Sequence, residues 1–143
     1  MTDFRVERLY MVDSQVRPSV VTDQRIIRAM LDVPRELFVP PELATLAYMD
    51  DPVPATARSR AGEARFLLPP RTLAKILQIL DIGPQSAVLD VGCATGYATA
   101  VLARLAGRVV GLEAERDLAL AARSARSASA GAARASTVAP KSV

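Results

Sequence analysis

Histidine and tryptophan are absent from this chain of 143 residues, and cysteine occurs once, as Cys93. Without histidine the chain lacks the commonest general base and the commonest zinc ligand, so a Ser-His-Asp hydrolase and a metal enzyme are both disfavoured. A single cysteine excludes an internal disulfide. Aromatic residues make up only 4% of the chain, so its core must be built mainly from aliphatic side chains.

Positive charge is concentrated at one end of the sequence. The formal net charge is +3, and residues 119–143 contain four basic side chains and no acidic one. A nucleic-acid-binding face would need a basic stripe with interleaved aromatic residues, and the sequence offers neither. The first residues do not resemble a signal peptide, and no uncharged run approaches about 18 residues. We therefore expect a cytoplasmic protein with no nucleic-acid or membrane partner.

The first 70 residues predict a helical leader interrupted by prolines. Apolar spacing favours helices over 5–17 and 22–31, the second capped at Thr22-Asp23, and a short helix over 41–48. Residues 50–62 contain two prolines and little apolar periodicity, which indicates an exposed loop. A helix that begins at Pro70 follows this loop.

A strand, a glycine turn, a helix and a second strand come next. Residues 87–91 and 108–113 predict strands, and 97–106 predict a helix that ends at Gly107. This order is typical of a βαβ unit, in which the turn after the first strand lies at the ligand-binding edge of a parallel sheet.

The turn itself contains residues suited to a ligand. Gly92 and Gly96 allow close approach of the backbone, and Glu113 at the end of the second strand can accept hydrogen bonds from ribose hydroxyls. The spacing differs from Gly-x-Gly-x-x-Gly, so a ligand with a ribose and no phosphate fits better than a dinucleotide. A simple tight turn is the alternative. Cys93 is expected to be a packing residue rather than an activated thiolate.

Residues 88–96 (VLDVGCATG) resemble motif I of the S-adenosylmethionine-dependent methyltransferases, and residues 109–113 (VVGLE) resemble the acidic strand end that follows it. In that family the glycine loop packs against the methionine part of the cofactor and the acidic residue holds the ribose. Ala94 stands where the family often has its middle glycine. The resemblance thus implies S-adenosylmethionine as cofactor, with Asp90, Gly92, Cys93, Ala94, Gly96 and Glu113 as the residues that bind it.

The leader resembles that of the protein-L-isoaspartate O-methyltransferases. The similar segments are 11–18, 28–40 and 47–54, among which PRELFVP is the most specific, and the resemblance extends over about residues 8–118. It implies an α/β, Rossmann-like methyltransferase fold with an N-terminal helical leader. It also implies methyl transfer to the carboxylate of an isoaspartyl residue, the first step of protein repair, on protein or peptide substrates.

The loop before the Pro70 helix departs from this family. Its usual sequence is Gly-Gln-Thr-Ile-Ser-Gln-Pro, whose hydroxyls meet the substrate, whereas this chain has Phe66 and Leu68 in place of the Thr and the Ser. Arg65 is either a bidentate carboxylate ligand or an exposed loop arginine. No catalytic residue is therefore assigned in the replaced segment, which consists of Arg65, Phe66, Leu67 and Leu68.

The sequence after Glu113 also departs from the family. We expect a leader and substrate-side loop (1–70), the start of the cofactor-binding domain (71–118) and a low-complexity Ala/Ser/Arg tail (119–143), with only the first βαβ part of the sheet present. A helix that begins near Glu115 is expected to continue into the first turns of this tail. This organisation suggests a truncated or frameshifted member, a homo-oligomer, or a chain completed by a partner. The alternative function is a non-catalytic cofactor-binding or interaction module, or an inactive family member.

Overall fold

Two capped helices form the start of the leader in the computed structural model, which describes residues 1–56, 64–129 and 136–140. Asp3 accepts a hydrogen bond from the N–H of Arg5 at 3.0 Å, and Asp23 accepts one from the N–H of Arg25 at 2.9 Å. Each carboxylate satisfies a donor that the first helical turn leaves free. The helices are α1 (Phe4–Met11), extended by a wide turn at Val12–Val16 and a tight turn at Arg17–Ser19, and α2 (Gln24–Asp32).

The leader continues through two tight turns and a short ribbon to a third helix. Residues Arg35–Phe38 and Pro41–Leu46 form 3₁₀ turns. Strand β1 (Val53–Pro54) pairs antiparallel with β2 (Phe66–Leu67), and helix α3 (Pro70–Leu80) follows.

The expectation of an exposed loop over 50–62 is wrong from Val53 to Ala55, although Asp51 and Pro52 are exposed. Val53 and Ala55 are buried, because the chain pairs with β2 here and turns these two side chains into the core. Residues 57–62 lie outside the described residues.

The predicted βαβ unit is confirmed. It consists of β3 (Ala87–Val91), α4 (Tyr97–Leu105) and β4 (Arg108–Glu113), with Val91 of β3 opposite Leu112 of β4 in a parallel pair. Because parallel strands end at the same edge of a sheet, the glycine turn after β3 lies next to Glu113.

The sheet extends further than the first βαβ part, which corrects the expectation that a tail begins at residue 119. Helix α5 (Arg116–Ser129) crosses to β5 (Ser136–Pro140), which pairs parallel with β4 and gives the strand order β3-β4-β5. The segment is low in complexity, but Ala119, Ala122 and Ala125 recur at helical spacing and are buried. Small side chains on one face allow α5 to pack closely without large apolar residues.

One core joins the leader to the sheet. Buried side chains of the leader, of α3 and α4, and of α5 belong to the same contiguous cluster, for example Ile27, Leu77, Val101 and Leu118. The two halves of the chain therefore stabilise each other. Among the described residues, no helix is both long and apolar enough to cross a membrane.

Candidate functional site

The turn between β3 and α4 has three residues with positive φ. Gly92 has φ +73°, Ala94 +50° and Gly96 +86°. The left-handed region suits glycine and costs an alanine about 1–2 kcal/mol, so the replacement of the usual middle glycine by Ala94 has a conformational cost. The N–H groups of Gly92 and Cys93 both donate to the carbonyl of Leu112, at 2.7 and 3.2 Å, which holds the turn against the end of β4.

Glu113 fixes the turn from the other side. Its side chain is fully buried and accepts hydrogen bonds from the N–H of Ala94 at 2.8 Å and of Glu115 at 3.1 Å. Burial raises the pKa of Glu113, but these bonds and those from Arg65 outweigh burial and hold its pKa below the ordinary value. The carboxylate is therefore ionised at neutral pH and bonded directly to the glycine turn.

Arg65 is bound to this carboxylate. Its Nη1 and Nη2 donate to Glu113 Oε1 and Oε2 at 3.1 and 2.9 Å, and Nη2 also donates to the carbonyl of Gly92 at 3.0 Å. The sequence favoured an exposed loop arginine over a bidentate carboxylate ligand, but the structure has the bidentate contact, and its carboxylate is Glu113 of the chain itself. Sequence inspection missed this pair because its members lie 48 positions apart.

Asp90, near the end of β3, and Cys93, in the turn, are partly or fully shielded from solvent. Asp90 Oδ2 accepts a hydrogen bond from the hydroxyl of Thr99 at 2.7 Å, and burial raises the pKa of Asp90 despite this bond. Burial, and then the nearby charge of Asp90, raise the pKa of Cys93 to about 11. Its thiol is thus protonated at neutral pH, in agreement with a packing role.

A cavity of about 210 Å³ lies between the turn and the replaced loop. Asp90, Gly92, Cys93 and Ala94 line one side of it, and Phe66, Leu67 and Leu68 line the other. Typical ligand pockets measure about 300–1,000 Å³, so this cavity would have to open to hold a whole nucleoside ligand. Glu113 and Gly96 are not among its lining residues.

Gly96 has a packing role. A Cβ on Gly96 would lie 3.1 Å from the Cβ of Ala122 on α5. The glycine therefore permits both the left-handed backbone and the close approach of α5. The six predicted cofactor residues lie close together, because Glu113 is hydrogen-bonded to the turn that contains or adjoins the other five. Only Asp90, Gly92, Cys93 and Ala94 line the cavity.

The leader braces the turn from behind. The Thr95 hydroxyl donates to the carbonyl of Phe38 at 2.5 Å, and the rings of Phe38 and Tyr97 meet edge to face with centroids 5.6 Å apart. Arg35 is fully buried, lies 4.6 Å from the Tyr97 ring centroid and donates to the carbonyl of Leu68 at 2.8 Å. The RELF segment thus connects the glycine turn to the replaced loop, a role that the sequence did not reveal.

The replaced loop exposes apolar side chains beside the cavity. Phe66 and Leu68 are about half exposed, and with Pro52 and Pro69 they border an open apolar groove. A ligand that enters by this groove would contact these apolar side chains.

Comparison with known proteins shows similarity to one family. The sequence model of the protein-L-isoaspartate(D-aspartate) O-methyltransferase family matches residues 7–138, which includes α5 and part of β5. The chain is 42% identical over 123 residues to a protein-L-isoaspartate O-methyltransferase of Aeropyrum pernix, covering 84% of this chain and 45% of the relative. It is 39% identical over 123 residues to one of Geobacter metallireducens, covering 86% and 54%. The chain thus spans about half the length of the curated relatives it matches.

Two solved structures share the fold. A protein-L-isoaspartate O-methyltransferase structure superposes with a TM-score of 0.76 at 21% identity, over 93% of this chain and 41% of its own. A Plasmodium falciparum beta-aspartate methyltransferase in complex with S-adenosyl-L-homocysteine gives a TM-score of 0.71 at 20% identity, over 100% and 65%. At these identities the similarity supports the fold alone.

Proposed function

The chain belongs to the protein-L-isoaspartate(D-aspartate) O-methyltransferase family, and on that premise we propose that it binds S-adenosylmethionine and transfers its methyl group to isoaspartyl carboxylates in proteins. One observation carries the proposal. The Glu113 carboxylate lies 2.8 Å from the N–H of Ala94, so the acidic strand end and the glycine turn form one hydrogen-bonded unit. The activity, cofactor and substrates of the full-length relatives are extended to this chain as part of the proposal.

The residues of the turn fit this cofactor. Glu113 is ionised and can accept from ribose hydroxyls once Arg65 moves aside, the same movement leaves space beside Gly92, and Asp90 faces the cavity. When bound, S-adenosylmethionine supplies an electrophilic methyl group on a positively charged sulfur. Glu113 would hold the nucleoside part through its ribose, and Asp90 and the glycine turn would lie against the methionine part.

The chain's residues would act by orientation rather than by acid–base catalysis. A substrate carboxylate has a pKa of about 4 and is already ionised at neutral pH, so the absence of histidine removes no required group. Phe66, Leu68 and Leu73 border the cavity and would exclude water from the reacting atoms. Alignment of two reactants in a dry site can supply several kcal/mol of rate acceleration.

Methyl transfer from labelled S-adenosylmethionine to an isoaspartyl peptide tests the proposal. We expect transfer to this peptide, none to the matching aspartyl peptide, and loss in Gly92→Asp, because φ +73° strains any side chain at this position and the added carboxylate would occupy the approach to the turn. Gly83→Asp is the matched control, because a Cβ at Gly83 has nothing within 4 Å and no positive φ. Transfer by the wild type no greater than by Gly92→Asp would overturn the proposed activity.

A second candidate is a non-catalytic binding module completed by another chain. β3 is an edge strand, and its Leu89 and Val91, like Ile79 on α3, are strongly exposed. Exposed apolar residues beside an open sheet edge favour association, either with a second copy or with a partner that completes the sheet. Native mass spectrometry combined with calorimetry tests this candidate: a complex or cofactor binding without turnover supports it, and a monomer that binds neither contradicts it.

The proposed location is the cytoplasm. The one cysteine, Cys93, is free and buried. Cytoplasmic proteins generally lack disulfides, which is consistent with this location.

A further inference from the structure

The guanidinium of Arg65 donates to the Glu113 carboxylate oxygens that would otherwise accept hydrogen bonds from a ribose. Glu113 accepts four hydrogen bonds: two from the backbone N–H groups of Ala94 and Glu115, and two from the guanidinium of Arg65. A carboxylate has about four acceptor sites, so none is left for a ligand. The backbone donors are fixed by the turn and by the start of α5. Only the two Arg65 donors can leave, and a ribose brings two hydroxyl donors.

We infer that Arg65 is a specificity-determining residue of the cofactor site: its guanidinium competes with the ribose hydroxyls for Glu113, and a ligand must supply replacement donors to displace it. This inference rests on the proposed function, because it assumes that the ligand is a nucleoside bound at Glu113.

The guanidinium also lies over the glycine turn. Its Nη2 donates to the carbonyl of Gly92, and it would lie 3.4 Å from a Cβ at that residue. One side chain therefore covers both the ribose acceptor and the glycine that would allow the ligand to approach. A ligand that uses Glu113 therefore has to displace Arg65.

Release of Arg65 needs only movement of its side chain. Its carbonyl accepts a hydrogen bond from the N–H of Ala55 at 2.8 Å, which anchors the backbone next to the β1–β2 ribbon. The Arg65 side chain is 27% exposed, whereas that of Glu113 is 0% exposed, so the arginine can turn into solvent and the glutamate cannot.

The same geometry predicts selectivity for ligands that carry hydroxyl groups at the ribose position. A buried carboxylate that loses its charged partner without replacement is strongly disfavoured. A ligand that lacks donors at the ribose position would leave Glu113 in that state and would bind poorly. Arg65 thus neutralises Glu113 in the free protein and opposes ligands that do not bring hydroxyl groups.

Calorimetry with S-adenosylhomocysteine and the full chain tests the inference. We expect Arg65→Ala to bind about tenfold more tightly than the wild type, which corresponds to about 1.4 kcal/mol. Arg65→Lys keeps the charge but loses the bidentate contact, so its affinity should lie between those of the wild type and Arg65→Ala. Arg17→Ala is the matched control, because it breaks the exposed Arg17–Asp13 pair on the leader and should leave affinity unchanged.

A double variant separates competition for Glu113 from simple relief of crowding. In a Glu113→Gln background the gain from Arg65→Ala should largely disappear, because the uncharged amide no longer holds the arginine tightly. Circular dichroism confirms folding, and Arg65→Lys carries the comparison if Arg65→Ala does not fold.

Equal or weaker binding by Arg65→Ala would overturn the inference and leave the proposed cofactor binding intact. Absence of binding by every folded variant would overturn the proposed function, and the inference with it.

Discussion

The hydroxyl of Thr95 donates a hydrogen bond to the carbonyl of Phe38 at 2.5 Å, across 57 positions of sequence. Thr95 and Phe38 are both buried, so this bond is formed away from solvent. It fastens the glycine turn, which belongs to the sheet, to the RELF segment, which belongs to the leader. The conformation of the candidate site therefore depends on the first 40 residues as well as on the βαβ unit.

Replacement of Thr95 by Val should destabilise the protein. The change keeps the side-chain shape but leaves the Phe38 carbonyl without its donor, and an unsatisfied buried polar group costs about 1–3 kcal/mol. Urea unfolding followed by circular dichroism measures the free energy of unfolding. Thr72→Val, at an exposed position on α3, is the control and should change it by less than about 0.5 kcal/mol. Equal effects of the two variants would show that the Thr95 bond contributes nothing.

Gly96→Ala should cost about 1–3 kcal/mol of stability. The residue has φ +86°, and a Cβ there would lie 3.1 Å from the Cβ of Ala122, so strain in the backbone adds to a tight contact with α5. Gly83→Ala, which places its Cβ in open space at an ordinary φ, is expected to be close to neutral. Thermal melts of the two variants compare their stabilities. Matching melting temperatures would count against this account of Gly96.

Local pattern was enough to predict the βαβ unit, because its strands and helix differ in apolar period and are separated by glycines. A helix from about Glu115 was expected, but the full length of α5 and the strand β5 were missed because the segment has almost no large apolar residue. The available signal was the spacing of Ala119, Ala122 and Ala125, which repeats every three residues. Alanine contributes little hydrophobic burial, so its periodicity becomes informative only once the glycine that faces it is known.

The candidate site was predicted in part. The glycine turn and Glu113 follow from strand ends that meet at one edge of a parallel sheet, which local sequence implies. The contacts of Arg65 and Arg35 do not follow from it, because each depends on a partner brought close only by the tertiary fold. The sequence gives no indication that Arg65 contacts the carboxylate of Glu113 or that Arg35 contacts the carbonyl of Leu68.

Glu113→Gln should lower stability at neutral pH by about 1–3 kcal/mol, since it removes the charged acceptor of four hydrogen bonds. The pKa of Glu113 in the folded protein lies below its ordinary value of 4.5. Its ionised form therefore stabilises the fold above about pH 4.5, and this contribution is lost as the pH falls from there through the folded pKa.

The difference between wild type and Glu113→Gln should accordingly shrink on acidification below about pH 4.5. The raised pKa of Asp90 acts in the opposite direction, since burial disfavours its charged form, but Asp90 is present in both proteins. Urea unfolding of both at a series of pH values measures the difference. A constant difference across this range would contradict the assigned direction of the Glu113 pKa.

Phe66→Thr combined with Leu68→Ser should raise kcat/KM for an isoaspartyl peptide by about tenfold or more. The usual family loop, from which this segment departs, carries hydroxyls at these two positions, and a site that hydrogen-bonds its substrate discriminates strongly through such groups. Both side chains are about half exposed, so their loss should cost little stability. The variant should bind S-adenosylhomocysteine as the wild type does, which separates a substrate effect from a cofactor effect. Leu9→Ser, at a similarly exposed position on α1, controls for loss of surface apolar area. An unchanged or lower kcat/KM in the double variant would mean that the apolar groove itself contacts the substrate, and that this chain prefers apolar residues beside the isoaspartyl group.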